Sequence, residues 1–334
     1  MRYLVTGGAG FIGAHLVGAL VARGESVRVL DNFSTGRVTN LAHVLGRDVE
    51  VPPEGGRAQT NGVEVVNGDI RAAATCREAC AGVTVVLHQA AMRAVPRSVD
   101  DPMGATEANV VGTLNMLMAA VDARVQRFVN ASSSSIYGDN PVLPKSEDQL
   151  PAPISPYAAS KLAGEHYCRV FTRTYGLPTV SMRYFNVFGP LQDPASQYAA
   201  VIPLFISWIL NGRPLEVHGD GLQSRDFTYI DNVVAANLLA ADGRDLSGEA
   251  LNIACGERVT LLEVADAIER LLGHRVERRH TAPRRGDVRH TLADISKARE
   301  QLGYAPTVGF ADGMARTVSF FAQQHAEGRT GASR

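Results

Sequence analysis

The chain has 334 residues, 45% of them apolar, and its 33 basic side chains stand against 34 acidic ones for a net charge of −1. That balance excludes a general nucleic-acid or membrane-surface binder, and the length exceeds an ordinary single domain, so a large domain with a smaller lobe is expected. Cys76, Cys80, Cys168 and Cys255 show no paired C-x-x-C spacing and no His or Cys cluster completes a metal site, so they read as free thiols of a reducing cytoplasm.

The chain opens on an apolar strand pattern, not on a basic segment followed by a signal-type apolar run. Its most apolar stretch, 201–210, is too short to span a bilayer and contains Pro203 and Ser207, so it reads as a buried helix. Residues 2–6 (RYLVT) lead into GGAGFIG and then an Ala- and Leu-rich helical pattern over 14–23. Strand, glycine turn and helix in this order make a dinucleotide site. Gly7, Gly10 and Gly13 allow a tight turn, close approach of a pyrophosphate and close helix–strand packing, and the helix N-terminus offers free N–H groups to the phosphates. A second strand (SVRVL) ends at Asp31, whose carboxylate suits a ribose diol and repels a 2′-phosphate. NAD is therefore expected rather than NADP, and Arg37 reads as a solvated loop arginine.

Residues 47–62, rich in Gly, Pro and charge, read as an exposed excursion without a core face. Alternation then resumes with a strand at 63–66, a helix near 71–81, a strand at 83–88, a long helix over 105–123, and a strand (RFVNA) delivering Ser132 to Ser135. Repeated strand–helix units of this kind make a doubly wound, Rossmann-type parallel sheet whose ligands sit at the carboxyl ends of the strands. Asp69, Ala90, Ala91 and Ser133 all fall at such ends.

Ser155 followed by Pro156 marks a helix start, which puts Tyr157 in the first turn and Lys161 four residues later on the same face. A lysine charge there favours the phenolate and lowers the tyrosine pKa, so a proton transfer that forms an alkoxide becomes feasible near neutral pH. Alone, the spacing equally describes a surface helix. Beyond it come a strand at 179–183, a helix at 201–211, a glycine-rich turn HGDG at 218–221, helices near 231–242 and 260–272, and a basic loop at 284–289. The expected organisation is a dinucleotide-binding domain over 1–182, to which 222–245 returns, a smaller α/β substrate lobe over 183–325, and a disordered tail over 326–334.

GGAGFIG, SSSSIYG at 132–138, YAASK at 157–161, RYFNVFGP at 183–190 and SRDFTYI at 224–230 together resemble the extended short-chain dehydrogenase/reductase family, specifically its nucleotide-sugar 4-epimerases. The resemblance runs over residues 1–320. It is greatest to the bacterial UDP-N-acetylglucosamine 4-epimerases, through VPRSVDDP at 95–102, LPKSED at 143–148 and QDPASQYAAVIP at 192–203.

The resemblance implies that Tyr157 is the base, that Lys161 depresses its pKa and binds the nicotinamide ribose, and that Ser133 hydrogen-bonds the reacting sugar hydroxyl, with Ser134 or Ser135 as further sugar contacts. It extends the NAD site to Phe11, Ile12, Asn32, Ile70 and Tyr184. It assigns Arg225 and Arg284 to the substrate diphosphate, Asp287 to its ribose and Asn186 to the sugar–phosphate end. Relatives that eliminate water carry Asp-Glu where this chain has Ser134 and Ser135. Asp193 stands where uronate epimerases tend to have an arginine, and Thr291 where glucose-only epimerases resemble one another in having a tyrosine. Arg93 occupies a position where some relatives have a lysine near the nicotinamide.

The resemblance therefore implies 4-epimerisation of UDP-GlcNAc and UDP-GalNAc, with UDP-glucose and UDP-galactose as further substrates. The alternatives are a UDP-glucose-restricted or a UDP-glucuronate 4-epimerase and, in a different class, a non-catalytic dinucleotide sensor. It also implies a homodimer paired through the helices at about 105–122 and 156–175.

Overall fold

In a computed structural model that describes residues 1–60, 62–93, 95–195, 200–243, 247–283 and 288–331, the first half of the chain alternates strand and helix as its periodicity requires. The elements are β1 (Arg2–Thr6), α1 (Phe11–Ala22), β2 (Ser26–Asp31), α2 (Val38–Leu45), β3 (Arg57–Thr60), β4 (Val63–Asn67), α3 (Ala73–Cys80), β5 (Val85–His88), α4 (Val95–Asp100), α5 (Pro102–Thr106), a π turn (Glu107–Val111), α6 (Gly112–Asp122) and β6 (Arg127–Ser133). A 3-10 turn (Ser134–Tyr137) and a long loop lead to α7 (Pro156–Tyr175), β7 (Thr179–Tyr184), β8 (Val187–Phe188), α8 (Val201–Leu210), β9 (Leu215–His218), β10 (Ser224–Arg225), β11 (Thr228–Tyr229) and α9 (Ile230–Asp242). The chain closes with β12 (Ala250–Ile253), β13 (Val259–Thr260), α10 (Leu261–Leu272), β14 (Arg278–Thr281), α11 (Ser296–Leu302) and α12 (Phe310–Gly331).

Eight strands form one sheet in the order β12-β7-β6-β5-β1-β2-β4-β3, parallel throughout except for the edge pair of β3 with β4. Successive side chains of a strand point to opposite faces, and here each face meets its own apolar core. Leu4, Val86 and Phe128 pack with Met116 and Leu117 of α6 and with Cys168 and Phe171 of α7. Tyr3, Val5, Val29 and Val129 pack instead with Leu16 and Leu20 of α1. Order reverses at β1, whose neighbours are β2 on one side and β5 on the other, and the crevice outside that switch point is where such sheets bind ligands.

Three expectations change. The excursion at 47–62 contains β3, which pairs antiparallel with β4 from Arg57↔Val66 to Thr60↔Val63; its alternating exposed and half-buried residues give it a ladder without a core face. The helix expected over 105–123 runs without a gap from Pro102 to Asp122 but carries an internal π turn at Glu107–Val111, within which Asn109 hydrogen-bonds other segments. The tail expected to be disordered from 326 is helical through Gly331, as the end of α12, and 332–334 lie outside the described residues.

Two later elements meet the sheet and its helices. α9 packs on α1, and β12, beyond the 222–245 range expected to return, pairs with β7 as an edge strand. Three two-stranded sheets, β10 with β13, β8 with β11 and β9 with β14, make up the rest of its β structure among the described residues. Ile202 and Phe205 of α8, Ile268 of α10 and Val318 of α12 extend the apolar core of one sheet face without a break. Among the described residues no helix is long and apolar enough to cross a membrane, and no cysteine is in a disulfide.

Candidate active site

At the β1–α1 junction the sequence permits no side chain larger than glycine at two positions. Gly13 packs so closely on the turn that an added Cβ would lie 2.1 Å from the Gly7 carbonyl oxygen. Gly7 has φ +65°, and a Cβ there would come within 2.8 Å of the Ala90 nitrogen, so the first and fifth segments meet backbone to backbone. α1 begins after Gly10 with no side-chain cap, which leaves its first N–H groups available to an anion. This turn forms one wall of a cleft of about 440 Å³ at the carboxyl ends of the strands. Gly7, Gly10, Phe11, Ile12, Gly13, Asp31, Asn32, Asp69, Ile70, Ala90, Ala91, Tyr157, Lys161 and Tyr184 all line that one cleft.

The acids are fixed before any ligand arrives. Asp31 is buried, accepting from Ala9 N at 2.9 Å and Phe33 N at 2.8 Å; burial pushes its pKa up while those two N–H groups oppose the shift. Its oxygens retain lone pairs for a diol. Asp69 accepts from Asn32 Nδ2 at 2.8 Å and from the Arg71 guanidinium at 2.7 Å. Desolvation pushes that carboxyl up, but the bonds from Arg71 and Asn32 outweigh it and hold it at about 2. Across the cleft the Tyr184 hydroxyl receives Gln89 Nε2 at 3.1 Å and Asn237 Nδ2 at 2.9 Å, and burial raises its pKa to about 12.

α7 carries the tyrosine and lysine expected from the sequence to react. The Ser155 oxygen caps it by accepting from Ala158 N at 3.1 Å, and Pro156 occupies its first turn as expected. Ser98 of α4 adds a second tether by accepting from Tyr157 N at 3.0 Å. Lys161 is buried and donates to the Ala131 carbonyl at 2.8 Å, its Nζ 6.0 Å from the Tyr157 ring centroid; burial lowers its pKa to about 8. The expected depression of the Tyr157 pKa by this lysine is not found. Desolvation raises the phenol instead, opposed by a hydrogen bond from Ser133 and by the charge of Arg93. The physical reason is that Lys161 directs its ammonium to the β6 backbone.

The four serines have separate tasks. Ser132 is buried at the floor of the cleft, and its hydroxyl donates to Glu165 Oε1. Ser133 Oγ accepts from Ser135 N at 3.2 Å and from Ser135 Oγ at 2.9 Å. A serine oxygen has two lone pairs and one proton, so with both pairs filled Ser133 is left to donate. Ser135→Ala is expected to lower kcat about tenfold at unchanged KM, the cost of one mis-set hydrogen bond, whereas Ser135→Thr keeps most of the rate. Steady-state kinetics on the two variants check this, and equal rates for Ala and the parent chain would refute it.

Asn109, a residue that sequence reasoning passed over, joins these parts. Its Oδ1 accepts from Met92 N at 2.7 Å, and its Nδ2 donates to Met92 O at 3.0 Å and to Ser160 Oγ at 2.9 Å, tying the Gln89–Arg93 segment to the catalytic helix. Nothing in the helical stretch 105–123 marked it out, because Asn115 is a second asparagine of the same pattern. His88 is likewise buried between Thr6 Oγ1 at 2.8 Å and Thr113 Oγ1 at 3.0 Å, and desolvation holds its pKa near 3, so it stays neutral.

The substrate residues are less gathered. Thr291 and Arg225 meet at β10: Thr291 N donates to Ser224 O at 3.0 Å, Thr291 Oγ1 accepts from Asp226 N at 3.3 Å, and Arg225 donates to Ser224 O at 2.9 Å. Asn186 is exposed beyond β7, its carbonyl bonded to Thr228 N at 3.2 Å. Ser133, Ser134, Asn186, Arg225 and Thr291 lie outside the lining of the dinucleotide cleft. Arg284 and Asp287 fall outside the described residues. Asp193, read from sequence as facing a sugar, is instead ion-paired with Arg37 at 2.7 Å.

Sheet order, glycine turn, acid at the end of β2 and a tyrosine–lysine helix beside the cleft define a dinucleotide-dependent enzyme of the extended short-chain dehydrogenase/reductase type. The model of the NAD dependent epimerase/dehydratase family matches residues 3–254, and the chain belongs to that family. A UDP-glucose 4-epimerase of Mycolicibacterium smegmatis is 39% identical over 322 residues, covering 96% of this chain and 98% of its own. Among solved structures, a UDP-N-acetylglucosamine 4-epimerase from Methanobrevibacter ruminantium in complex with UDP-N-acetylmuramic acid is 35% identical with a TM-score of 0.88, covering 97% of this chain and 98% of its own. A UDP-glucose 4-epimerase from Thermus thermophilus in complex with NAD is 38% identical with a TM-score of 0.84, covering 96% and 99%. The protein is thus an NAD-dependent epimerase in class.

Proposed function

We propose that the protein interconverts the C4 epimers of a UDP-hexose, with UDP-GlcNAc and UDP-GalNAc as its favoured pair and UDP-glucose and UDP-galactose as further substrates. The observation that carries the reading is that Tyr157 and Lys161, one helical turn apart on α7, line the same cleft as the glycine turn and Asp31. NAD, when bound, supplies a reversible two-electron acceptor for the sugar carbon. Tyr157 takes the proton of the 4-hydroxyl, and Ser133, restricted to donating, stabilises the oxygen as charge develops on it. Lys161 holds a positive charge below the reacting centre. Inversion requires the 4-keto sugar to present its other face, so the nucleotide end must be held and the sugar end left free to turn. Arg225 would serve that anchorage through its forked donors.

Ser134 and Ser135 offer no carboxyl for water elimination. The argument that Asp193 repels a uronate carboxylate falls, because that charge is already paired with Arg37. Choice among sugars then rests on Thr291, half-buried beside Asp226, whose side chain is smaller than the tyrosine that would exclude an acetamido group. Incubation with each UDP-sugar and separation of the epimers by anion-exchange chromatography tests this, and no turnover of the N-acetylated pair would sink it. Thr291→Tyr is expected to cut turnover of UDP-GlcNAc by about tenfold or more while UDP-glucose retains most of its rate, since excess volume in a packed pocket costs ~1–3 kcal/mol. Equal loss on both sugars would count against the gate.

A homodimer is part of the same reading. Met103, Met118, Tyr167 and Val170 are exposed apolar residues on α5, α6 and α7, the helices expected to pair. Light scattering that returns the mass of a single chain would reject it.

A further inference from the structure

Arg37 and Asp193 are separated by 156 residues, yet Arg37 Nη2 lies 2.7 Å from Asp193 Oδ2. Both side chains line the dinucleotide cleft. The backbone of Arg37 is fixed to the ribose end of that cleft, because Arg37 N donates to Ala9 O at 2.9 Å while Ala9 N donates to Asp31 Oδ2 at 2.9 Å. Gly36 lies closer still, since a Cβ there would come within 2.8 Å of both Asp31 oxygens. A guanidinium carried on the turn next to the acid that would receive a ribose diol is of the class that binds a 2′-phosphate, through its charge and forked donors. In this protein that guanidinium is already engaged by a carboxylate from the segment after β8.

We propose that Asp193 is a specificity-determining residue for the dinucleotide: by claiming Arg37 across the rim of the cleft, it denies the 2′-phosphate of NADP its cation and so reinforces the selection of NAD by Asp31. The pair is exposed, with 57% of the Arg37 side chain and 21% of the Asp193 side chain accessible, so it adds little to stability and acts through charge. The inference depends on the dinucleotide site and is independent of which sugar the enzyme turns over.

The test is competition of NADPH and NADH for the purified full chain, read by nucleotide fluorescence, in the parent, Asp193→Asn, and the double variant Asp193→Asn with Arg37→Gln. Asp193→Asn should improve the affinity for NADPH relative to NADH about fivefold, with the gain fading as salt is raised. The double variant should lose that gain, because the cation that produced it is gone. An unchanged affinity ratio in Asp193→Asn overturns the proposal, including the case in which both nucleotides weaken alike. A gain that persists without Arg37 overturns it too.

Discussion

Tyr157→Phe is expected to lower turnover of the UDP-sugar by about 10³-fold while the protein remains folded and keeps NAD. The ring near the Lys161 ammonium is retained, so only the oxygen proposed to take the substrate proton is lost. The variant measures the chemistry apart from the binding, provided nucleotide content is read by absorbance alongside epimer formation. A rate near that of the parent chain would remove the mechanism. The pH dependence follows from the direction of the shift. Burial raises the Tyr157 pKa, so at neutral pH the phenol holds its proton more firmly than in water, and the rate should rise with pH as the base form grows. Ser133 and Arg93 act in the opposite direction, so loss of the Ser133 hydroxyl or of the Arg93 charge should move the acidic limb of the profile to higher pH.

The cofactor half of the site was legible because its determinants are local. A tight turn needs glycine at fixed offsets, an N-cap needs an oxygen before the first turn, and a strand end places its last side chain at the crevice. Gly13, Ser155 and Asp31 each announce one of these requirements within a few residues of sequence. Contacts between distant segments carry no such signal. Asn109 bonds to Ser160 across 51 residues, and Asp193 reaches Arg37 across 156. The sequence pattern showed an apolar helix in the first case and a solvated arginine in the second. The orientation of Lys161 is of the same kind: the spacing of four places it on the same face as Tyr157, but the direction of its ammonium is set by the Ala131 carbonyl on β6. β3 was missed because an edge strand with no buried face has no apolar alternation to read.

Removal of the Arg183 charge is expected to have the largest effect on stability. Arg183 on β7 donates to Glu165 of α7 through Nε at 3.0 Å and Nη2 at 2.8 Å, and to the Tyr137 hydroxyl at 2.8 Å. Tyr137 passes its own proton to Asn252 of β12 at 2.7 Å, while Ser132 of β6 also donates to Glu165. Arg183 and Glu165 side chains are only 6% and 7% exposed, so each charge depends on the other for its solvation. Arg183→Met leaves the Glu165 carboxylate buried with a serine alone, which should cost ~3–5 kcal/mol. At this chain length that corresponds to a fall in Tm of about 4–7 °C. Arg183→Met combined with Glu165→Leu should recover much of the loss, since two apolar side chains of similar volume no longer strand a charge. Thermal melts of both variants decide the matter: a single variant as stable as the parent would show that water or a neighbour already compensates Glu165. The network also bears on catalysis. Glu165 follows Lys161 by one helical turn and Ser132 precedes Ser133, so loosening this pair should lower kcat in the single variant even at temperatures where it is fully folded.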